Sequence, residues 1–330
     1  MLSAIVPCFN EQASMAELHG RLSAACRSAV GENYEIVLVD DGSRDRTWSL
    51  MEDLARRDPR VVAVRLTKNH GHQLALSAGL EICSGSRILI LDADLQDPPE
   101  LLGEMWRLMD EGADVVYGRR IERRGETTFK RMTAIAFYRL LQRLADIEIP
   151  VDAGDFRLVS RKALDMVRRM PEQHRFVRGM IAWIGLKQVP LDYIRVERFA
   201  GDTGYSLKKM IRLGVDALTG FSIKPLKIAS YLGIVFALLS MSAIVFTIYS
   251  WFTDKTIVGW ASIMTSVLSL GAIQLLVLGI LGEYIGRTFI EVKRRPLFLV
   301  DQIVTTNRTY LEVDRVPVDR HGPVAEGHPK

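Results

Sequence analysis

Apolar and polar positions along the first part of the chain predict strands and helices that take turns. Short apolar runs at Leu2–Pro7, Glu35–Asp40, Val61–Leu66, Arg87–Asp92 and Asp114–Tyr117 read as strands covered on both faces. Between them, residues 12–29, 47–57, 71–83 and 98–111 carry their apolar positions at helical spacing, with Gly and Asn at the joins. Alternation of this kind predicts an α/β fold, a Rossmann-like and mostly parallel sheet with helices on both faces. Further on, Thr127–Ala145 reads as an amphipathic helix, Phe156–Ser160 as a short strand and residues 187–198 as extended chain.

The pattern changes near residue 225. Ile228–Phe252 is 25 residues without a charge and Ile257–Gly282 another 26. At helical rise each extends about 37–39 Å, enough to cross a hydrocarbon core of about 30 Å with some tilt. The linker Thr253–Thr256 is so short that the two helices must form a hairpin with both flanks on one side of the membrane. Those flanks carry Lys208, Lys209, Arg212, Lys224 and Lys227 before the hairpin, and Arg287, Lys293, Arg294 and Arg295 after it. An excess of basic residues marks the cytoplasmic side, which predicts a multi-pass protein of the cytoplasmic membrane with its first domain and both termini in the cytosol. Ser206–Phe221 sets Leu207, Met210, Ile211 and Leu213 against Lys208, Lys209 and Arg212, the pattern of a helix lying in the membrane interface. The expected layout is therefore a cytosolic domain over residues 1–205 and a juxtamembrane helix over 206–225. The membrane hairpin follows over 226–290, and a partly disordered cytosolic tail over 291–330.

Composition narrows the picture further. The 330 residues leave a net charge of only +4, so nothing marks the chain as a nucleic-acid binder. Cys8, Cys26 and Cys83 have neither paired nor metal-type spacing, which suits a reducing compartment. The apolar start is too short for a secretory signal and runs into Asn10 and Glu11, so it reads as the first strand. No strand is followed by GxGxxG or by GxxxxGK[ST], so neither dinucleotide nor P-loop binding is supported.

Candidate chemistry gathers at strand ends. The run Arg87-Ile-Leu-Ile-Leu ends in Asp92-Ala93-Asp94-Leu95-Gln96, and Pro98 and Pro99 then stop the strand and open a helix. Residues two apart on a strand share a face, so Asp92 and Asp94 can converge at the carboxyl edge, where open α/β sheets bind ligands. Oxygen ligands there suit Mg²⁺ or Mn²⁺ bridging carboxylates to phosphates, although the same pair could cap a helix.

The segments PCFNE, VDDGSRDRT, LDADLQDPP and DAGDFRL together resemble the inverting family 2 glycosyltransferases of the GT-A fold. The two apolar spans with LGEYIGR and RRP are similar to the polyisoprenyl-phosphate glycosyltransferases, which include bactoprenol glucosyltransferases and dolichol-phosphate mannose synthases. The resemblance implies that Pro7, Asn10, Glu11, Asp40 and Asp41 border the nucleoside, with Ala93 and the loop Lys68, Asn69, Gly71 and Gln73 nearby. It implies Asp92, Asp94 and Gln96 as ligands of Mg²⁺ or Mn²⁺, and Asp94 and Asp155 as catalytic carboxylates. Asp155 falls where the family has an acceptor-side carboxylate, usually described as the base. A phosphate whose second pKa is about 6 is already largely ionised at neutral pH and needs no strong base, so orienting the phosphate or stabilising the sugar cation suits Asp155 better. Two anions must meet in such a site. Arg119, Arg131 and Arg198 are the candidate phosphate-binding arginines. Arg198-Phe-Ala-Gly-Asp-Thr-Gly-Tyr resembles the family's R-x-x-G-x-S-K-Y segment but lacks its lysine, which Lys208 or Lys209 would have to replace.

The expected reaction is metal-dependent, inverting transfer of a sugar from a nucleotide sugar to a polyprenyl phosphate. UDP-glucose is the expected donor, with UDP-N-acetylhexosamine, a UDP-aminoarabinose derivative or GDP-mannose as alternatives. The family implies a homo-oligomer such as a tetramer. A processive polysaccharide synthase is the rival enzyme, but it would carry QxxRW and more membrane helices. A non-catalytic membrane scaffold is the other rival, against which the intact Asp92, Asp94 and Asp155 argue.

Overall fold

The computed structural model describes residues 1–121, 153–194, 259–306 and 308–311, with scattered residues between 226 and 249. The chain divides into two compact units. One holds Met1–Ala134, Glu148–Tyr205 and Pro296–Lys330, and the other Ile135–Ile147 and Ser206–Arg295.

In the first unit nine described strands form one mixed sheet. They are β1 (Leu2–Cys8), β2 (Tyr34–Asp40), β3 (Val61–Leu66), β4 (Arg87–Ile90), β5 (Val115–Arg120), β6 (Ala153–Ser160), β7 (Gln188–Tyr193), β8 (Val300–Thr305) and β9 (Arg308–Leu311). Their order is β7-β5-β6-β4-β1-β2-β3-β8-β9. The helices are α1 (Met15–Val30), α2 (Thr47–Arg57), α3 (His72–Ile82), α4 (Leu102–Asp110), α5 (Arg161–Arg168) and α6 (Val177–Trp183), with a 3₁₀ turn at Pro99–Leu101.

β4, β1, β2 and β3 run parallel, joined by helical crossovers as the alternating pattern requires. Alternate residues of β1 and β2, Leu2, Ala4, Val6, Cys8, Ile36 and Leu38, enter one core with Met15, Leu18 and Leu22 of α1, Met51 of α2 and Met105 of α4. α3 packs on β1 and β2 as well, and the intervening residues Ile5, Val37 and Val39 are equally buried, so apolar side chains stand on both faces of these strands.

The sheet is less parallel than the alternation suggests. β6 pairs antiparallel with both β4 and β5, so its amino end lies at the carboxyl edge of its neighbours. β7 runs parallel beside β5. The other edge also differs from the sequence reading, which treated residues 291–330 as a tail. Val300–Thr305 pairs antiparallel with β3, and Arg308–Leu311 closes a hairpin on it. Leu297, Phe298 and Val304 are buried there, and Thr306 Oγ1 donates to Ala55 O at 3.0 Å.

The second unit contains α7 (Trp260–Lys293), 34 residues long. An 18-residue window within its stretch Ser269–Lys293 has mean hydropathy 1.5, and this is, among the described residues, the one helix long and apolar enough to cross a membrane. It continues past Gly282, where the apolar span was expected to end, through an ion pair of Arg287 with Glu283 at 2.9 Å. The first expected span, residues 228–252, lies largely outside the described residues, as do the helices expected over 127–145 and 206–221.

Candidate active site

The carboxyl ends of β1, β2, β3 and β4 and the amino end of β6 share one edge of the sheet, and the candidate residues cluster there. Pro7 is buried near the end of β1 opposite Val39 of β2, and Cys8 pairs with Asp40. Asp40 is fully buried; one carboxylate oxygen accepts from the Ser43 N–H at 3.2 Å and the other has no hydrogen-bond partner among the described residues. Burial raises its pKa, with the Ser43 bonds opposing. Asp41 accepts the N–H groups of His70 at 2.7 Å and Gly71 at 2.9 Å, and so fixes the loop that follows β3. Gly42 allows that close approach: at φ +69 it takes a left-handed turn, and a Cβ would stand 2.7 Å from the Asn69 nitrogen. Asn10, also left-handed at φ 57, accepts from Arg44 N–H at 2.9 Å while its own N–H donates to Ser43 Oγ at 3.0 Å. The Glu11 N–H donates to Thr47 Oγ1 at 2.8 Å. Asn10 and Glu11 thus tie the β1 loop to the β2 loop, while Lys68 stays exposed on the β3 loop.

At the end of β4 the structure gathers a group that is only partly legible in the sequence. His72 Nε2, in the first turn of α3, lies 3.1 Å from Asp155 Oδ2 and 3.6 Å from Asp92 Oδ1. Arg178, in the first turn of α6, places its Nε 3.0 Å from Asp155 Oδ1. The two helix starts are joined, since the Val177 N–H donates to Gln73 Oε1 at 2.9 Å. Asp155 reaches this edge because β6 runs antiparallel to β4, so the first residues of β6 lie beside the residues that follow Ile90.

The charges respond to one another. Burial would raise the Asp155 pKa, but Arg178, the His72 bond and Arg157 hold its carboxyl well below the usual carboxylate range. Asp92 is pushed up to about 6, first by burial and then by Asp155, Asp97 and Asp94, with His72 opposing. Partial burial works against a charge on His72, yet the Asp155 hydrogen bond and the two neighbouring carboxylates raise its pKa to about 9. Burial lowers the Arg157 pKa to about 10, and its guanidinium donates to Gly154 O at 2.9 Å.

Among the described residues, His72, Asp92 and Asp155 offer ligand atoms that all lie within 4.8 Å of one another. Asp92 Oδ1 is buried without a hydrogen-bond partner among the described residues, an unmet acceptor that a cation would satisfy. One imidazole nitrogen and carboxylate oxygens fit a divalent ion such as Mn²⁺, provided that His72 gives up its proton. Of the set read from sequence, Asp92 joins this group. Asp94, 6% exposed, accepts the Gln96 N–H at 3.1 Å in a local turn, and Ala93 is buried. Arg119 forms a bidentate pair with Asp192 of β7, at 2.5 and 2.8 Å, rather than joining the carboxylate group. Arg131, Arg198, Lys208 and Lys209 lie outside the described residues. His72 was within reach of the sequence, since it stands inside the Lys68–Gln73 loop. Arg178 carried no signal, being one of 43 Lys and Arg in a stretch to which no element was assigned.

Comparison with known proteins gives the family. Residues 3–168 match glycosyl transferase family 2, and residues 224–288 match the GtrB C-terminal hairpin. The uncharacterized glycosyltransferase YkcC of Bacillus subtilis is 46% identical over 301 residues, 91% of this chain and 93% of that protein. A prophage bactoprenol glucosyl transferase homolog of Escherichia coli is 37% identical, covering 92% of this chain and 99% of that protein. The bactoprenol glucosyl transferase of Shigella phage SfII is 35% identical over 91% of this chain and 97% of that protein.

Proposed function

The chain belongs to glycosyl transferase family 2 and carries a hairpin of the GtrB type, and from that premise we propose that it transfers glucose from UDP-glucose to a polyprenyl phosphate. Transfer takes place at the cytosolic face of a membrane crossed by the hairpin, with inversion at the anomeric carbon. The observation that carries this reading is the meeting of Asp92, from a parallel strand end, with Asp155, from an antiparallel strand start, beside two cationic side chains. The bactoprenol glucosyl transferases among the relatives support the lipid acceptor and the glucosyl donor.

Pro7, Glu11 and Asp40 hold the nucleoside, and the unfilled Asp40 oxygen is an acceptor suited to a hydroxyl or ring N–H. Asp92, His72 and Asp155 would hold Mn²⁺ or Mg²⁺, which when bound supplies Lewis-acid stabilisation to the leaving diphosphate. The lipid phosphate is largely ionised at neutral pH, so its oxygen attacks the anomeric carbon without prior deprotonation. A new carbon–oxygen bond forms on one face as the bond to the diphosphate breaks on the other, giving the β-linked lipid and UDP. Asp155, kept ionised by Arg178 and, when the ion is bound, by that ion in place of the His72 proton, is a weak proton acceptor; it serves the charge balance of the site rather than taking a proton from the acceptor.

Detergent-solubilised protein given Mg²⁺, polyprenyl phosphate and a panel of radiolabelled nucleotide sugars tests the assignment. Label from UDP-glucose should enter the organic phase, and Asp92→Asn should abolish it. Transfer from another donor alone would reassign the sugar, and transfer from none would overturn the reading.

A further inference from the structure

Beyond its two acidic residues, the loop after β4 ends in a side chain that no reading of the reaction uses. Asp97 is completely buried. The Tyr193 hydroxyl donates to Asp97 Oδ1, and Arg120 NH2 stands 3.5 Å from the same oxygen. Arg120 Nε in turn donates to the Tyr193 hydroxyl at 3.1 Å. Tyr193 has little room to move. Its ring meets Phe156 edge-on, with centroids 5.8 Å apart at 67°, and covers Gly118, where a Cβ would lie 2.7 Å from Tyr193 Cε1. Three strands therefore converge on one carboxylate: β5 through Arg120, β7 through Tyr193, and β6 through the ring beneath it.

Between Asp94 and Asp97 the backbone is strained. Leu95 sits in the left-handed region at φ 59, a conformation that a residue with a Cβ rarely adopts. The Gln96 N–H turns back onto Asp94 Oδ1 in the same stretch. Such a turn persists when its two ends are held. Asp92 holds one end beside His72 and Asp155, and Asp97 holds the other.

We propose that the buried Tyr193–Asp97 hydrogen bond, steadied by Arg120, is a positioning device that keeps the Asp92–Gln96 loop in the shape that receives the divalent ion and the nucleotide diphosphate. This rests on the reading of that loop as the donor site. The three residues do not touch substrate; they act through the loop. Supporting side chains behind a metal-binding residue change metal affinity by about 10–100-fold, which sets the scale of the effect.

The test is Tyr193→Phe in the full-length protein in detergent, which removes one oxygen and keeps the ring against Phe156 and Gly118. Free Mn²⁺ is measured by electron paramagnetic resonance during titration with and without UDP, alongside thermal unfolding. The expected result is a loss of Mn²⁺ affinity in the presence of UDP of about tenfold, with the folded fraction retained and the donor KM raised more than kcat falls. Asp97→Asn keeps an acceptor for Tyr193 but removes the charge facing Arg120, and should lose less. A change of under about threefold in Tyr193→Phe overturns the proposal, as does a variant that only unfolds earlier while its folded fraction binds normally. Mn²⁺–UDP binding by the unaltered protein without transfer to lipid would instead contradict the proposed reaction and leave this inference standing.

Discussion

Asp155 is bracketed by Arg178 and His72, and that limits what its carboxylate does: a group held far below its ordinary pKa accepts protons poorly. The same bracket makes Arg178 the residue on which the charge balance turns. Arg178→Ala leaves a buried carboxylate facing one cation in place of two, so kcat should fall about 100-fold, as when one preorganised charge partner is removed. Arg178→Lys should recover part of that loss. Steady-state rates of the two variants, with circular dichroism to confirm folding, check both. Equal rates for Arg178→Ala and the unaltered protein would remove Arg178 from the account. At this scale the sequence was a partial guide. Asp92 was legible because a carboxylate stands where an apolar run stops, whereas Asp155 came only from the resemblance of the segment DAGDFRL to the family. His72 was hidden inside a loop otherwise noticed for Lys68, Gly71 and Gln73. Its importance depends on partners 20 and 83 positions away in the chain.

The strands and helices of the first half followed the apolar pattern closely, and α2 begins and ends where that pattern placed it, at Thr47–Arg57. What escaped were elements whose identity depends on distant partners. β6 looked like any short strand, yet its antiparallel insertion between β4 and β5 carries Asp155 to the site. β8 reads locally as a mixed tail, Val300-Asp-Gln-Ile-Val-Thr305, and becomes a strand by pairing with β3. The apolar helix that starts at Trp260 was legible because length and absence of charge suffice to announce it. The topology of the expected hairpin is testable at this scale. Cys8, Cys26 and Cys83 are all buried, so background labelling by a thiol reagent is low. Thr253→Cys, in the linker between the spans, should react with a membrane-impermeant maleimide in intact cells, whereas Arg44→Cys, exposed on the β2 loop, should react only after permeabilisation. Labelling of both in intact cells, or of neither, contradicts a hairpin with a cytosolic catalytic unit.

Taken whole, the chain joins a family 2 glycosyltransferase domain, with an acidic sheet edge, to a hairpin of the GtrB type. Neither part alone selects the acceptor. The acidic edge would serve a soluble or a lipid phosphate, and an apolar helix would serve any membrane protein. Their union in one chain is what favours transfer onto a phosphate that cannot leave the bilayer. In the proposed reaction, displacement by a phosphate oxygen from the face opposite the diphosphate would invert the anomeric centre, and Asp155, held far below the usual carboxylate range by its cationic partners, would be too weak a nucleophile to form a covalent sugar intermediate first. The product formed from UDP-glucose and polyprenyl phosphate, examined by proton NMR at the anomeric carbon, tests this directly. The account predicts a β-glucosyl phosphate on the lipid. An α-linked product, or glucose attached anywhere other than the lipid phosphate, would contradict it.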